Sequence, residues 1–158
     1  NAAIFTPTDC EEADMPLQNF GSILNFAEEL ESQDRQFYEA AAGNPTCAAN
    51  KRLFTELAAE AGRSLQTVRR VRRENVTEMI LEPITDFTRA PFCEACEGAS
   101  VLGAAEVLAL AKRLEARAER YYSEAAEKIK ALPEVARALK GLGKQRKARA
   151  AKLAGAGV

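Results

Sequence analysis

The sequence predicts an all-α fold, a four-helix bundle of two helix hairpins joined by one long crossover. Three observations carry this. Apolar residues recur at spacings of three and four through four long stretches, with no strand-like alternation anywhere. Residues 26–42 (FAEELESQDRQFYEAAA) return as residues 110–126 (LAKRLEARAERYYSEAA), so that Leu30 matches Leu114, Glu31 matches Glu115, and Phe37-Tyr38 match Tyr121-Tyr122. Short turns separate the stretches within each half, whereas a long, proline-containing connector separates the halves.

Taken in order, residues 1–16 read as an N-terminal arm, with Pro7, Pro16, Cys10 and an acidic cluster of Asp9, Glu11, Glu12 and Asp14. The bundle occupies residues 17–153. Helix 1 is expected from Leu17 to Ala42, with Phe20, Ile23, Leu24, Ala27, Leu30, Tyr38 and Ala41 on its apolar face. Gly43-Asn44-Pro45 ends it, and Asn44 or Thr46 caps the next helix. Helix 2 is expected from Thr46 to Ile80, with Leu53, Leu57, Ala61, Ser64, Val68, Val71 and Asn75 inward and Pro83 as its stop. The crossover, residues 83–102, holds Pro83, Pro91, Gly98 and the pair Cys93-x-x-Cys96. An extended chain of that length reaches ~60 Å, enough to run the full length of a bundle. Helix 3 runs from Gly103 to Ala131, with Val107, Leu108, Ala111, Leu114, Tyr122, Ala125 and Ile129 inward. Pro133 opens helix 4, which continues to Leu153. Two hairpins joined by one crossover form the ferritin-like version of the four-helix bundle.

Composition narrows the chemistry. A chain of 158 residues, 47% apolar and 28% charged, suits one soluble domain with a single core. A formal charge of −1 exerts no global pull on nucleic acid or anionic membrane. No apolar run is long enough to span a bilayer, and the first residues lack the basic-then-apolar pattern of a secretory leader, so a cytoplasmic location is expected. Histidine is absent, which removes imidazole acid–base chemistry, Ser-His and Cys-His nucleophiles, and His-ligated metals.

Helical wheels place several polar residues inside the apolar arcs: Glu31, Asp34 and Tyr38 on helix 1, Glu115 and Tyr122 on helix 3, Ala61 and Ser64 at the matching level of helix 2, and Arg146 and Arg149 on helix 4. Ionised side chains in such a place must be paired, metal-bound or protonated. The spacing of Glu31 to Tyr38, repeated at Glu115 to Tyr122 within a duplicated bundle, resembles the rubrerythrin family over most of residues 17–153. That resemblance implies a two-iron centre with one Glu each from helices 1 and 3 and an E-x-x-H pair each from helices 2 and 4, serving peroxide reduction or iron oxidation. Here the E-x-x-H positions fall on Ala61 and Ser64, and on Arg146 and Arg149. Glu31, Asp34 and Glu115 are then the only carboxylates left for a vestigial metal site. The residues instead suggest an ion-pair network in which Arg146 and Arg149 neutralise Glu31 and Glu115 while Tyr38 and Tyr122 hydrogen-bond to the carboxylates.

These residues support two readings of function. The favoured one is a non-catalytic structural or interaction module that has lost its two-iron ligands, with no cofactor. The other is a metal-dependent oxidoreductase or peroxidase using iron at a reduced carboxylate site. Cys93 and Cys96 read either as inert thiols or as a redox or metal-binding pair, which Cys10 and Cys47 could complete to four thiolates. The arginine run at Arg69, Arg70, Arg72 and Arg73 and the lysines Lys140, Lys144, Lys147 and Lys152 read as solvated faces, and nucleic acid is not expected as a partner. Alanine-rich faces allow a homodimer through helices 1 and 2.

Overall fold

A computed structural model of the chain describes residues 16–75 and 84–156. Among these lie four long helices: α1 (Phe20–Ala42), α2 (Lys51–Glu74), α3 (Ala104–Lys128) and α4 (Pro133–Ala154). They pack as two hairpins, α1 with α2 and α3 with α4, and among the described residues no helix is long and apolar enough to cross a membrane. Residues 1–15 of the N-terminal arm lie outside the described residues, as does the stretch 76–80 expected to carry helix 2 to Ile80.

Local chemistry sets the helix ends. Asn19 caps α1 through its side-chain oxygen, which accepts from the Ser22 N–H at 2.8 Å, and Ser22 Oγ accepts in turn from the Asn19 N–H at 3.1 Å. The turn to α2 differs from the expected continuous helix. Residues Pro45–Asn50 form a 3₁₀ segment, and Cys47 breaks the helical dihedrals at φ −100° and ψ 15°. Pro45 supplies no N–H there, and the Asn44 side chain accepts from the Thr46 N–H at 2.9 Å, so the tighter turn satisfies its own backbone before α2 begins.

The crossover runs along the bundle, as its reach suggested. Near the start of α1 it is tied by Leu17 N–H to Phe87 O and Ile84 N–H to Gln18 O, both at 2.8 Å. Near the end of α1 it is held by the Asn44 amide, which donates to Ala99 O at 2.9 Å and Leu102 O at 2.7 Å. At Gly98 the chain takes φ +84°, a left-handed conformation that glycine adopts without strain.

This path buries a second face of α1 and α3. Phe26, Gln33 and Phe37 on α1, and Leu110, Arg117 and Tyr121 on α3, are all buried at duplicated positions spaced i, i+7, i+11. Phe87 and Phe92 of the crossover close over Tyr121, with ring centroids 5.7 and 5.2 Å from its own. The Tyr121 hydroxyl donates to Ile23 O at 2.6 Å.

The core has two apolar ends. One cluster gathers Phe20, Leu24, Leu30, Val68, Tyr121, Leu139 and Leu142, among others. The second gathers Phe37, Phe54, Leu57, Leu108, Leu114 and Leu153 at the opposite end. Between them lies a layer of charge.

Candidate functional site: a buried charge layer

All four helices bring residues to the same level. Glu31, Asp34, Glu115 and Arg146 are 0% exposed, and Arg117 and Arg149 are at most 2% exposed. Three carboxylates therefore face three guanidiniums. The layer is neutral in formal charge, which is the condition for holding six ionisable groups away from water.

Arg146 sits at its centre. Nη1 donates to Asp34 Oδ2 at 2.6 Å and to Glu115 Oε2 at 3.1 Å, while Nε donates to Glu31 Oε1 at 3.1 Å. Nη2 adds an ion-pair contact to Glu31 Oε2 at 2.9 Å, off the hydrogen-bond line. One guanidinium thus links α4 to both α1 and α3. Burial works against its charged form, but Glu115, Glu31 and Asp34 together outweigh that, and its pKa lies above the ordinary arginine value. Glu115 shows the opposite balance. Burial raises its pKa above the usual glutamate value of 4.5, only partly opposed by Arg146 and Arg149.

The tyrosines cross over. Tyr38 donates to Glu115 Oε1 and Tyr122 to Glu31 Oε1, each at 2.6 Å. Each phenol serves the glutamate of the other copy, because α1 and α3 run antiparallel and bring position 31 opposite 122 and position 38 opposite 115. The repeated Glu–Tyr spacing, seven residues along one helix, encodes an interhelix pair made twice. Burial is the main cause holding both phenols well above pH 10.0, and the adjacent carboxylates push the same way.

Arg149 plays a different part. Its Nη2 donates to Ser64 Oγ at 2.5 Å, and Ser64 donates onward to Gln145 Oε1 at 3.0 Å. Its contacts with Glu31 and Glu115 are longer, 3.6 and 4.0 Å from Nη1. Ala61 and Ser64, where α2 reaches this level, are buried and leave room for the guanidiniums.

Helical wheels alone give two guanidiniums for the charge layer, and the layer holds three, because Arg117 and its neighbour Gln33 fall outside the principal apolar arcs. Arg117 donates to Asp34 Oδ1 at 2.7 Å and to Phe92 O of the crossover at 3.0 Å. Gln33, its counterpart in the duplication, lies beside it, with Oε1 3.5 Å from Arg117 Nη1. The Gln33 amide donates to Glu94 O at 3.0 Å and contacts Cys96 Sγ at 2.9 Å. The sequence signal for both residues is the second stripe itself, since large apolar residues flank Gln33 and Arg117 at the same spacing in both copies.

Of the candidate thiols, Cys96 is buried and Cys93 half-buried, and neither is in a disulfide. Burial pushes the Cys96 thiol up to about 11, which leaves little thiolate at neutral pH. Cys47 is buried in the same apolar cluster as Cys96, and Cys10 lies outside the described residues. Among the described residues, no three acidic or thiol side chains converge in an arrangement able to hold a metal ion. Glu31, Asp34 and Glu115 do converge, but around a guanidinium.

Comparison with known proteins assigns no family: no family model, no curated protein and no solved structure matches the chain.

Proposed function

We propose that this chain is a rubrerythrin-like bundle whose two-iron ligand set has been replaced by arginines, and that it acts as a non-catalytic structural or interaction module. The observation that carries the reading is the placement of Arg146, whose guanidinium contacts all three core carboxylates within 3.1 Å. A two-iron centre needs carboxylate and imidazole lone pairs aimed at a shared space. Here that space holds a group with five donors, no lone pair and a permanent charge. The donor set does not fit two irons, and no chemical step is assigned to them.

What remains is a rigid scaffold. The charge layer links α1, α3 and α4 directly, reaches α2 through Ser64, and engages the crossover through Arg117. The surface of such a scaffold, rather than its core, would meet a partner. A homodimer through α1 and α2 belongs to this proposal, supported by a groove lined by Arg35, Glu39, Ala58, Ala59, Gly62 and Gln66 on that face.

The test is elemental analysis after anaerobic purification, with peroxide turnover measured on the same sample. The proposal expects substoichiometric metal and no turnover above buffer. Stoichiometric iron accompanied by turnover would establish the oxidoreductase reading at Glu31, Asp34 and Glu115 instead.

A further inference from the structure

Two stretches of the chain carry many cations and no acid. Residues 63–73 hold five arginines and residues 137–147 hold five Lys and Arg, with no Asp or Glu in either run. The fold sets these runs side by side. α2 and α4 pack antiparallel, with Lys152 against Glu56 and Glu60 at 3.1 and 2.9 Å and Ser64 against Gln145 at 3.0 Å. At a rise of ~1.5 Å per residue, that register lays both runs along the same ~15 Å of the bundle.

Three of the ten cations are already engaged. Arg146 is buried in the charge layer, and Arg69 and Arg72 lie 4.0 and 3.6 Å from Glu28. Arg63, Arg70 and Arg73 on α2 are exposed, as are Arg137, Lys140, Lys144 and Lys147 on α4. None of these seven has a carboxylate within 4.0 Å among the described residues. Glu60, which shares the cleft between the helices with Arg63, is held by Lys152. The formal charge of −1 thus cancels in sum what the packing separates in space.

The arrangement selects among polyanions. Helices in contact lie about 8–10 Å apart, so cations on the outer flanks of α2 and α4 form two rows close to the ~12 Å width of a DNA major groove. Uncharged Thr67, Gln145 and Ala148 line the cleft between the rows. Arginine grips phosphate oxygens bidentately, which suits the α2 row. A lipid surface favours faces with apolar groups to insert, and α2 and α4 expose no large hydrophobic side chain; among the described residues only Val101, ahead of α3, does so. Single strands favour aromatic rings to stack on, and the one aromatic ring of these two helices, Phe54, is buried.

We propose that the α2–α4 face binds the phosphate backbones of double-stranded DNA, largely without regard to sequence. The partner so named rests on the reading of the chain as an interaction module. Absence of DNA binding would leave that module and its arginine-filled core standing, whereas iron with turnover would remove the module and leave the basic face.

The test is fluorescence anisotropy of a labelled duplex of about 20 base pairs and arbitrary sequence, titrated with the full chain at about 50 and 200 mM salt. Affinity should fall at least about a hundredfold between the two, and the single strand should bind more weakly than the duplex. Arg63→Gln, Arg70→Gln and Lys144→Gln should each reduce the log–log salt slope by about 1 while leaving the melting temperature in place, since none has an ion-pair partner to lose. Lys112→Gln, at an exposed position on α3, should change neither. Phosphatidylserine–phosphatidylcholine vesicles, titrated in parallel, should bind more weakly than the duplex. The proposal is overturned by no duplex binding at the lower salt, by an equal effect of Lys112→Gln, or by tighter binding to the single strand or the vesicles.

Discussion

At the scale of single residues, Arg146 and the two crossing tyrosines hold the charge layer together. Replacing Arg146 with Met keeps much of the volume but leaves Glu31, Asp34 and Glu115 facing only Arg117 and Arg149. Breaking a buried ion pair from one side costs about 3–5 kcal/mol, and chemical denaturation of Arg146→Met should show a loss of that size. The tyrosines should differ from one another. Glu31 receives Tyr122 plus two contacts from Arg146, whereas Glu115 receives Tyr38 and a single Arg146 bond at 3.1 Å. A hydrogen bond to a charged group contributes about 1.5–3 kcal/mol. Tyr38→Phe should therefore fall toward the upper end of that range and Tyr122→Phe toward the lower. Equal losses in denaturant midpoints would show that Arg146 serves both glutamates alike.

At the scale of elements, the crossover determines which faces of α1 and α3 are buried, and Asn44 fastens one of its ends. That side chain satisfies the Thr46 N–H and the carbonyls of Ala99 and Leu102 together. Asn44→Ala should cost about 1–3 kcal/mol, with amide exchange rising first around residues 99–102; exchange confined to the start of α2 would mean the cap matters and the tie does not. The crossover also marks the limit of what the sequence made legible. The helices, the hairpins and the inward glutamates, tyrosines and arginines arise from a 3.6-residue period and an internal repeat, both local signals. Arg117 and Gln33 lie on a stripe that a single-arc wheel assigns to solvent, and only a distant segment folding over it puts them inside. The crossed pairing of Tyr38 with Glu115 was hidden for the same reason, since spacing along one helix cannot say which neighbour a side chain reaches. The 3₁₀ entry to α2 turned on how Asn44 and Pro45 share one backbone turn.

At the scale of the whole molecule, two apolar ends enclose a neutral layer of six charges, and every tyrosine in the chain is buried. Tyr38, Tyr121 and Tyr122 are all raised well above their ordinary value of 10.0, chiefly by burial. The folded state therefore keeps its phenol protons at pH values where the unfolded chain gives them up. This contribution to stability is present in full below pH 10.0 and is lost as pH climbs beyond it. Tyrosinate absorbance should rise only together with loss of helical circular dichroism; a phenol titrating near pH 10 in an intact fold would contradict the burial described. Whether guanidiniums rather than metal ions hold the core carboxylates is settled most simply by thermal unfolding of the wild-type chain with chelator and with excess ferrous ion under anaerobic conditions. A ligand that binds only the folded state must raise the melting temperature. A core neutralised by Arg146 should give superimposable melts in the two conditions, and a ferrous-dependent rise of several degrees would contradict it.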